Sequence, residues 1–378
     1  MAELVLKGGR VIDPSQEIDG IADVVFADGK VRAVGRDVPH ARDAEVRDLK
    51  GLIVTPGLID LHTHVYWGGT SLGVDAAELA RSSGTTTFVD AGSAGAGNFH
   101  GFRRHVIEPS PVRILPYLNV SYPGIYAFSA AVMVGECADL RLLDLRECRR
   151  VAEENRDIVV GIKVRVGKTA SGSSGVAPLD MALEAAEELG MSVMCHLDFP
   201  PPSRLEVVTR LRPGDVLTHC FRPYPNAPVA PDGSVREEIA AARERGVIFD
   251  IGHGGGSFGF GTTRKMLDAG FLPDVISSDV HAVSIKGPAF DLLHTLSKFL
   301  VLGVPLPTVI KSATVAPAAT IGHKDLGTFK PGAVGDASIL SVEEGQFTYH
   351  DVLGEALKGS KRLAARGIVL GGKWWHPE

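Results

Sequence analysis

The chain is poor in the features that mark several protein classes. Four cysteines in 378 residues are too few for a disulfide framework. No apolar run is long enough to span a bilayer. The opening Met1-Ala2-Glu3-Leu4-Val5-Leu6-Lys7 lacks the basic flank and apolar core of a secretory signal. These absences point to a cytoplasmic protein. No basic stretch is concentrated anywhere, and the net charge is -6, so neither nucleic acid nor an anionic membrane surface is an expected partner. Low-complexity tracts and internal repeats are absent as well. What remains, with 44% hydrophobic and 22% charged residues, is the composition of a globular protein with a large core. Its expected partners are a small-molecule substrate and further copies of itself.

The texture changes twice along the chain. From Leu4 to about Val54 short β-like runs alternate with turns, such as Asp28-Gly29 between Ala27 and Lys30. The same texture returns in Gly327–Gly332, Asp336–Val342 and Gly367–Trp374. The two ends are expected to pair into one small β domain, a sandwich of residues 1–55 and 323–378. Between them, residues 56–322 alternate apolar strands with helix-compatible stretches. The strand candidates are Leu58–His62, Thr86–Val89, Val112–Asn119, Ile158–Val164, Ser192–His196, Val216–His219, Val247–Ile251 and Val275–Ser278. Helical stretches such as Asp144–Asn155, Leu179–Leu189 and Val235–Arg245 follow them. Eight strand-then-helix units predict an α/β fold, a (β/α)₈ TIM barrel.

Chemistry in such a barrel belongs at the carboxyl ends of the strands. The apolar run Leu52–Leu61 ends in His62-Thr63-His64. Residues i and i+2 of a strand share a face, so both imidazoles can reach one cation. Lys163 lies late in the fourth strand, His196 ends the fifth, His219 ends the sixth and Asp279 follows the eighth. Singly, such a histidine is more often a packing residue, such a lysine reaches water, and such an aspartate caps a helix. Six coincidences in barrel order favour a metal site. Cys195 and Cys220 adjoin His196 and His219, but alternation turns their thiols away, so they are expected to pack in the core.

At this point the sequence resembles the amidohydrolase superfamily, in its binuclear branch with a carboxylated lysine. The resemblance spans the chain: split β domain, barrel, His-x-His, Lys, His, His, Asp. It implies that His62, His64 and Asp279 hold the more buried of two divalent metals, zinc by the donor types. His196 and His219 would hold the other, and Lys163, as a carbamate, would bridge both. It further implies hydrolysis of an ester or amide by a hydroxide shared between the metals, with Asp279 as the catalytic proton shuttle. Gly161-Ile162-Lys163-Val164-Arg165 and the His253–Phe258 loop are similar to the deacetylase and dihydroorotase-like group, which includes hydrolases of N-acyl and O-acyl acids.

One departure matters. Dihydroorotases and related cyclic amidases often carry an arginine just after His-x-His, whereas this chain reads His64-Val65-Tyr66-Trp67-Gly68. The expectation is therefore a deacetylase-like hydrolase of a small acylated acid. A cyclic amidase is the alternative, and a noncatalytic scaffold a more distant one. Candidate substrate contacts are Arg165, which shares a strand face with Lys163, then His253 and Gly254 after strand seven, His281, Asn119 and Tyr122. The Ser171–Gly175 run reads as a mobile loop.

Overall fold

The computed structural model describes residues 3–375, so the first two residues of the N-terminal run and the last three of the chain lie outside it. Both ends build one mostly antiparallel sheet. Strands β1 (Leu4–Asp13), β2 (Ile18–Ala27), β3 (Lys30–Gly35), β4 (Glu45–Asp48) and β5 (Ile53–Pro56) come from the N-terminal segment. The central strands are β6 (Leu58–Thr63), β7 (Thr85–Gly95), β8 (Arg113–Asn119), β9 (Gly161–Val166), β10 (Val193–Leu197), β11 (Val216–Leu217) and β12 (Ile248–Phe249). The C-terminal segment adds β13 (Ala337–His350), β14 (Ala356–Leu370) and β15 (Lys373–Trp375). The terminal sheet runs β15-β14-β13-β5-β1-β2-β3, with β4 also on β1. Antiparallel pairing of Ile53–Pro56 with Ala337–Leu340 joins the two chain ends. The Asp28-Gly29 turn forms as expected, with both residues at positive φ to match strand twist.

The middle of the chain forms a second sheet of seven parallel strands in sequence order, β6 through β12. Each strand is followed by helix. Asp144 caps Leu145–Glu154 by accepting from the amides of Arg146 and Glu147, and Pro178 opens Ala177–Leu189, which ends at the left-handed Gly190. The strands are buried along almost their whole length, as parallel strands under helices must be, and apolar on the face turned to the helices. Val193, Cys195 and Leu197 join the same cluster as the helical Leu179, Ala182 and Ala186, and so does the alternating set Ile162, Val164 and Val166. That leaves Lys163, Arg165, Met194 and His196 on the opposite face. Met194 accordingly packs with Ile59, Val89, Leu115 and Val216 in a separate cluster. All four cysteines are buried and unpaired, consistent with packing.

The eighth expected strand, Val275–Ser278, is not a regular strand. It is an extended segment joined by single parallel bridges, Asp250↔Val275 on one side and Thr63↔Val280 on the other. Asp60 holds it in place: the Ser278 amide donates to one carboxylate oxygen at 2.9 Å and the Ser278 hydroxyl to the other at 2.5 Å. The fourth strand begins at Gly161 rather than Ile158, so Lys163 sits mid-strand. Ser171–Gly175 is a tied turn rather than an open loop. The Ser171 hydroxyl bonds the Gly167 amide and the Gly175 carbonyl, and residues 172–174 form a single 3₁₀ turn. Among the described residues no helix is long and apolar enough to cross a membrane.

Candidate metal centre

His62 and His64 leave the end of β6 with their Nε2 atoms each 3.3 Å from Oδ1 of Asp279. One donor atom from each of the three residues lies within 4.8 Å of the others, and all three residues are buried. Asp279 is no helix cap. Its backbone is left-handed at φ 48°, its amide donates to the His62 carbonyl at 2.7 Å, and its carboxylate turns to the imidazoles. A side chain on Gly254 would come within 2.1 Å of Asp279 Oδ2, so the strand-seven loop lies directly against this carboxylate. His219 is also left-handed, at φ 64°. Such a backbone costs an L-residue about 1–2 kcal/mol and persists where surrounding contacts over-determine it.

Each histidine of the pair is backed by a hydroxyl and a buried carboxylate. His62 Nδ1 lies 2.8 Å from Thr218 Oγ1, which donates to Asp250 Oδ2 at 2.7 Å. The threonine has a single proton and gives it to Asp250. It therefore accepts from His62 Nδ1–H, which leaves Nε2 with a lone pair facing Asp279. His64 Nδ1 lies 2.9 Å from Ser93 Oγ, and the Ser93 amide donates to Asp90 Oδ1 at 2.7 Å. Such outer partners fix ring and tautomer. Thr218→Val, which keeps the shape and removes the relay, is expected to weaken metal affinity about 10- to 100-fold. Metal titration of the variant checks this, and unchanged affinity would remove Thr218 from the design.

A second pair faces the first. His219 Nδ1 donates to the Gly252 carbonyl at 2.7 Å, so its Nε2 is an acceptor, 2.6 Å from His196 Nδ1. His196 Nε2 is buried without a partner, and so is Lys163 Nζ. Burial, with the neighbouring charges on Lys163 and the other rings, holds His62, His196 and His219 well below the ordinary histidine range. Burial likewise lowers His64 to about 3 and His281 to about 4. All five rings are neutral at pH 7, the state in which imidazole ligates metal. Burial pushes Asp279 up to about 6 and pulls Lys163 down to about 8.

The cavity over these groups is small, about 30 Å³, and is lined by His62, His64, Lys163, His196, His219 and Asp279 together with Leu72, Phe128, Arg165 and His281. That is room for roughly one water. A larger groove of about 490 Å³, lined by Gly214, Asp274 and Lys311 among others, lies at the opposite strand ends, away from this cluster.

The structure thus brings all six expected ligand positions to one cavity, and with them Arg165 and His281. Arg165 contacts Glu136 at 3.4 Å and lies 5.0 Å from the Phe128 ring centre, and that ring also meets His281 edge-on at 5.4 Å. Gly254 lies against the Asp279 carboxylate, and the remaining expected contacts do not line the cavity. Both nitrogens of His253 are taken, by the Gly254 carbonyl at 2.9 Å and by Lys298 Nζ at 2.6 Å, and its ring stacks on Phe258. The Asn119 amide is likewise spent on Gly92 and Ser121, and Tyr122 is 45% exposed, packed over Gly97. Neither lines the cavity. Phe128 and Leu72 escaped sequence reasoning because both lie in irregular loops without period. Arg222 carried one usable signal, its place three residues beyond His219.

No protein-family model matches the chain. It is 34% identical over 354 residues to a deacetylase of Brucella anthropi, covering 93% of this chain and 87% of that one. Among solved structures it resembles one described as an adenine deaminase, with TM-score 0.92 and 27% identity over the whole of both chains. It also resembles one described as a dihydroorotase, with TM-score 0.89 and 32% identity over 99% of this chain and 97% of that one.

Proposed function

The chain belongs to the amidohydrolase superfamily, and on that premise we propose that it cleaves the ester or amide bond of a small N-acyl or O-acyl acid with the help of two divalent metals. The observation that carries this reading is the convergence of His62, His64 and Asp279 with His196 and His219 on one cavity that Lys163 also lines, its buried Nζ left without a partner. Unpartnered buried polar atoms are costly in a finished structure and ordinary in a site that awaits ligands. The residues present fit the metals. His62, His64 and Asp279 would hold one and His196 and His219 the other, with Lys163 as a carbamate between them. The nitrogen and carboxylate donors suit zinc. When bound, such cations supply an activated water at neutral pH and polarise a carbonyl.

The chain's own groups do the rest. Asp279 accepts the proton of the attacking water and returns it to the leaving oxygen or nitrogen. Gly254 leaves room for that carboxylate, since any Cβ there would meet its Oδ2 at 2.1 Å. Leu72 and Phe128 exclude bulk water from a cavity that must open to admit substrate. We read the Val275–Val280 segment as the eighth stave of a closed (β/α)₈ barrel spanning residues 56–322, and the two chain ends, 1–55 and 323–378, as a separate β domain. Closure explains how residues 62 and 279 meet.

The deacetylase relative supports acyl cleavage, and the missing arginine after His64 argues against a dihydroorotase. The solved structure described as a dihydroorotase favours a second reading, ring opening of a cyclic amide. One experiment separates them. Gently purified protein is expected to contain about two divalent metals per chain and to hydrolyse members of a panel of N-acetyl and O-acetyl acids in preference to dihydropyrimidines and hydantoins. Full activity with one metal or fewer would end the binuclear reading. A preference for cyclic amides would replace the acyl-acid reading with ring opening.

A further inference from the structure

Beside His196 lies a second polar cluster that the ligand set does not use. The guanidinium of Arg222 is buried, with only 6% of the residue exposed, and its Nε and Nη1 have no hydrogen-bond partner. Among the described residues no carboxylate forms an ion pair with it. The acid whose charge it feels, Asp198, is already engaged: the Thr169 and Ala170 amides donate to its two oxygens at 3.3 and 3.1 Å. A buried guanidinium with idle donors is expensive unless something arrives to accept from it.

Its placement says where that acceptor comes from. The Arg222 amide closes a tight turn onto the His219 carbonyl at 3.1 Å, and the guanidinium charge acts on the rings of both His196 and His219. The ring of Phe199, three residues beyond His196, lies 5.8 Å from the guanidinium. Arg165, which lines the cavity, also acts on both rings and on Asp198. Its one carboxylate contact among the described residues, Glu136, is long, and burial raises that acid toward its neutral form. Arg165 thus lines the cavity, and Arg222 lies behind its His196 and His219 wall with donors that neither Asp198 nor Glu136 takes up.

We propose that Arg222, together with Arg165, forms a carboxylate-binding subsite next to His196, and that the substrate is an acyl derivative of an acid whose free carboxylate docks there. This rests on the acyl-acid reading above and deepens it: the arginines select the anionic end of the molecule, and the scissile carbonyl sits over the ligand cluster a few bonds away. Arg165 reaches the cavity directly. Arg222 supplies the planar fork that can hold two carboxylate oxygens at once.

The test uses the metal-loaded full chain and two kinds of measurement. Titration calorimetry compares binding of 2-hydroxy and 2-amino acids with binding of their carboxamides to the native protein, Arg222→Met and Arg222→Lys. Hydrolysis assays compare the acetylated acids with the acetylated carboxamides. The native protein is expected to bind the acids more tightly than the carboxamides. Arg222→Met should reduce the acid-over-carboxamide preference by about 10- to 100-fold, the scale of a charge-assisted hydrogen bond, and Arg222→Lys by less. Equal losses for acid and carboxamide would make Arg222 a packing residue and overturn the proposal. So would a native protein that does not distinguish the two, an outcome that needs no variant to fold. Acid binding that depends on Arg222 without hydrolysis of any acetylated compound would uphold the subsite and defeat the acyl-hydrolase reading. Hydrolysis of acetylated carboxamides as fast as acids would do the reverse.

Discussion

Lys163→Ala is expected to lower the metal content from about two ions per chain to one or fewer and to reduce turnover by at least about three orders of magnitude. A lysine ammonium carries three donors that need acceptors when buried, yet Lys163 Nζ has no partner and the residue is wholly inaccessible. Burial brings its pKa down to about 8, so a usable fraction is neutral amine near pH 7. A neutral amine adds to CO₂ and, on losing a proton, becomes an anionic carbamate with two oxygens to offer. The backbone leaves the side chain little freedom. Gly92 is left-handed at φ 78°, and a Cβ there would come within 2.6 Å of both Cβ and Cγ of Lys163.

A purely structural lysine makes a different prediction. Removing it would leave a cavity costing about 2–5 kcal/mol, and Lys163→Met, which fills the space, would be stable and active. The metal reading makes Lys163→Met as inert as Lys163→Ala, while short carboxylic acids with bicarbonate partly restore Lys163→Ala. Carbon-13 NMR after exposure to labelled CO₂ is expected to show one carbamate signal in the native protein and none in either variant. An active Lys163→Met enzyme would refute the bridge.

The second large effect concerns Asp279. Asp279→Asn should keep at least one metal yet lose several orders of magnitude in turnover on a confirmed substrate. An amide oxygen can still coordinate weakly, but it cannot take a proton from the attacking water. General acid-base catalysis alone is worth about 10²–10⁴-fold, and looser metal positioning adds to that. A helix-cap role would give the opposite outcome, since asparagine caps as well as aspartate. The geometry already disfavours a cap, with Oδ1 3.3 Å from two imidazole nitrogens.

Burial also sets a pH dependence with a definite sign. The Asp279 carboxyl is pushed up to about 6 in the metal-free chain, so it gains a proton as pH falls through that value and must lose it to bind metal. The depressed histidines are neutral throughout this range and contribute little. Metal affinity of the stripped protein should therefore soften below about pH 8, where Lys163 gains a proton and no longer takes up CO₂, and fall further below about 6 as Asp279 is protonated. In Asp279→Asn that decline should shrink. An affinity equally steep in the variant would place the titrating group elsewhere.

The local part of this design is legible in the chain itself. The period-two alternation of apolar residues in Val193–Leu197 decides which of Cys195 and His196 faces the helices, and it needs no knowledge of the rest of the fold. The same holds for the strand-then-helix rhythm, for the Asp28-Gly29 turn and for the pairing of His62 with His64. Side chains that depend on partners far away in sequence were not legible. His253 has the sequence position of a substrate contact, but Lys298, 45 residues later, takes its free nitrogen. Asn119 follows a strand end as a pocket residue would, yet its amide meets Gly92, 27 residues earlier. Ser171–Gly175 has the composition of a flexible loop, but one buried hydroxyl ties it down.

The final strand shows the division most clearly. Composition marks Val275–Ser278 as a strand, but a strand is defined by its neighbours' hydrogen bonds. Here Asp60, 218 residues away, replaces part of that ladder with side-chain bonds. Sequence alone therefore determined the residue types at the centre and the faces they occupy, because these follow from backbone periodicity. Only the tertiary structure decided the aim of Asp279, the closure of the cavity by Phe128 and the idle guanidinium of Arg222. Each of those depends on contacts or burial supplied by chain that is remote in sequence and adjacent only after folding.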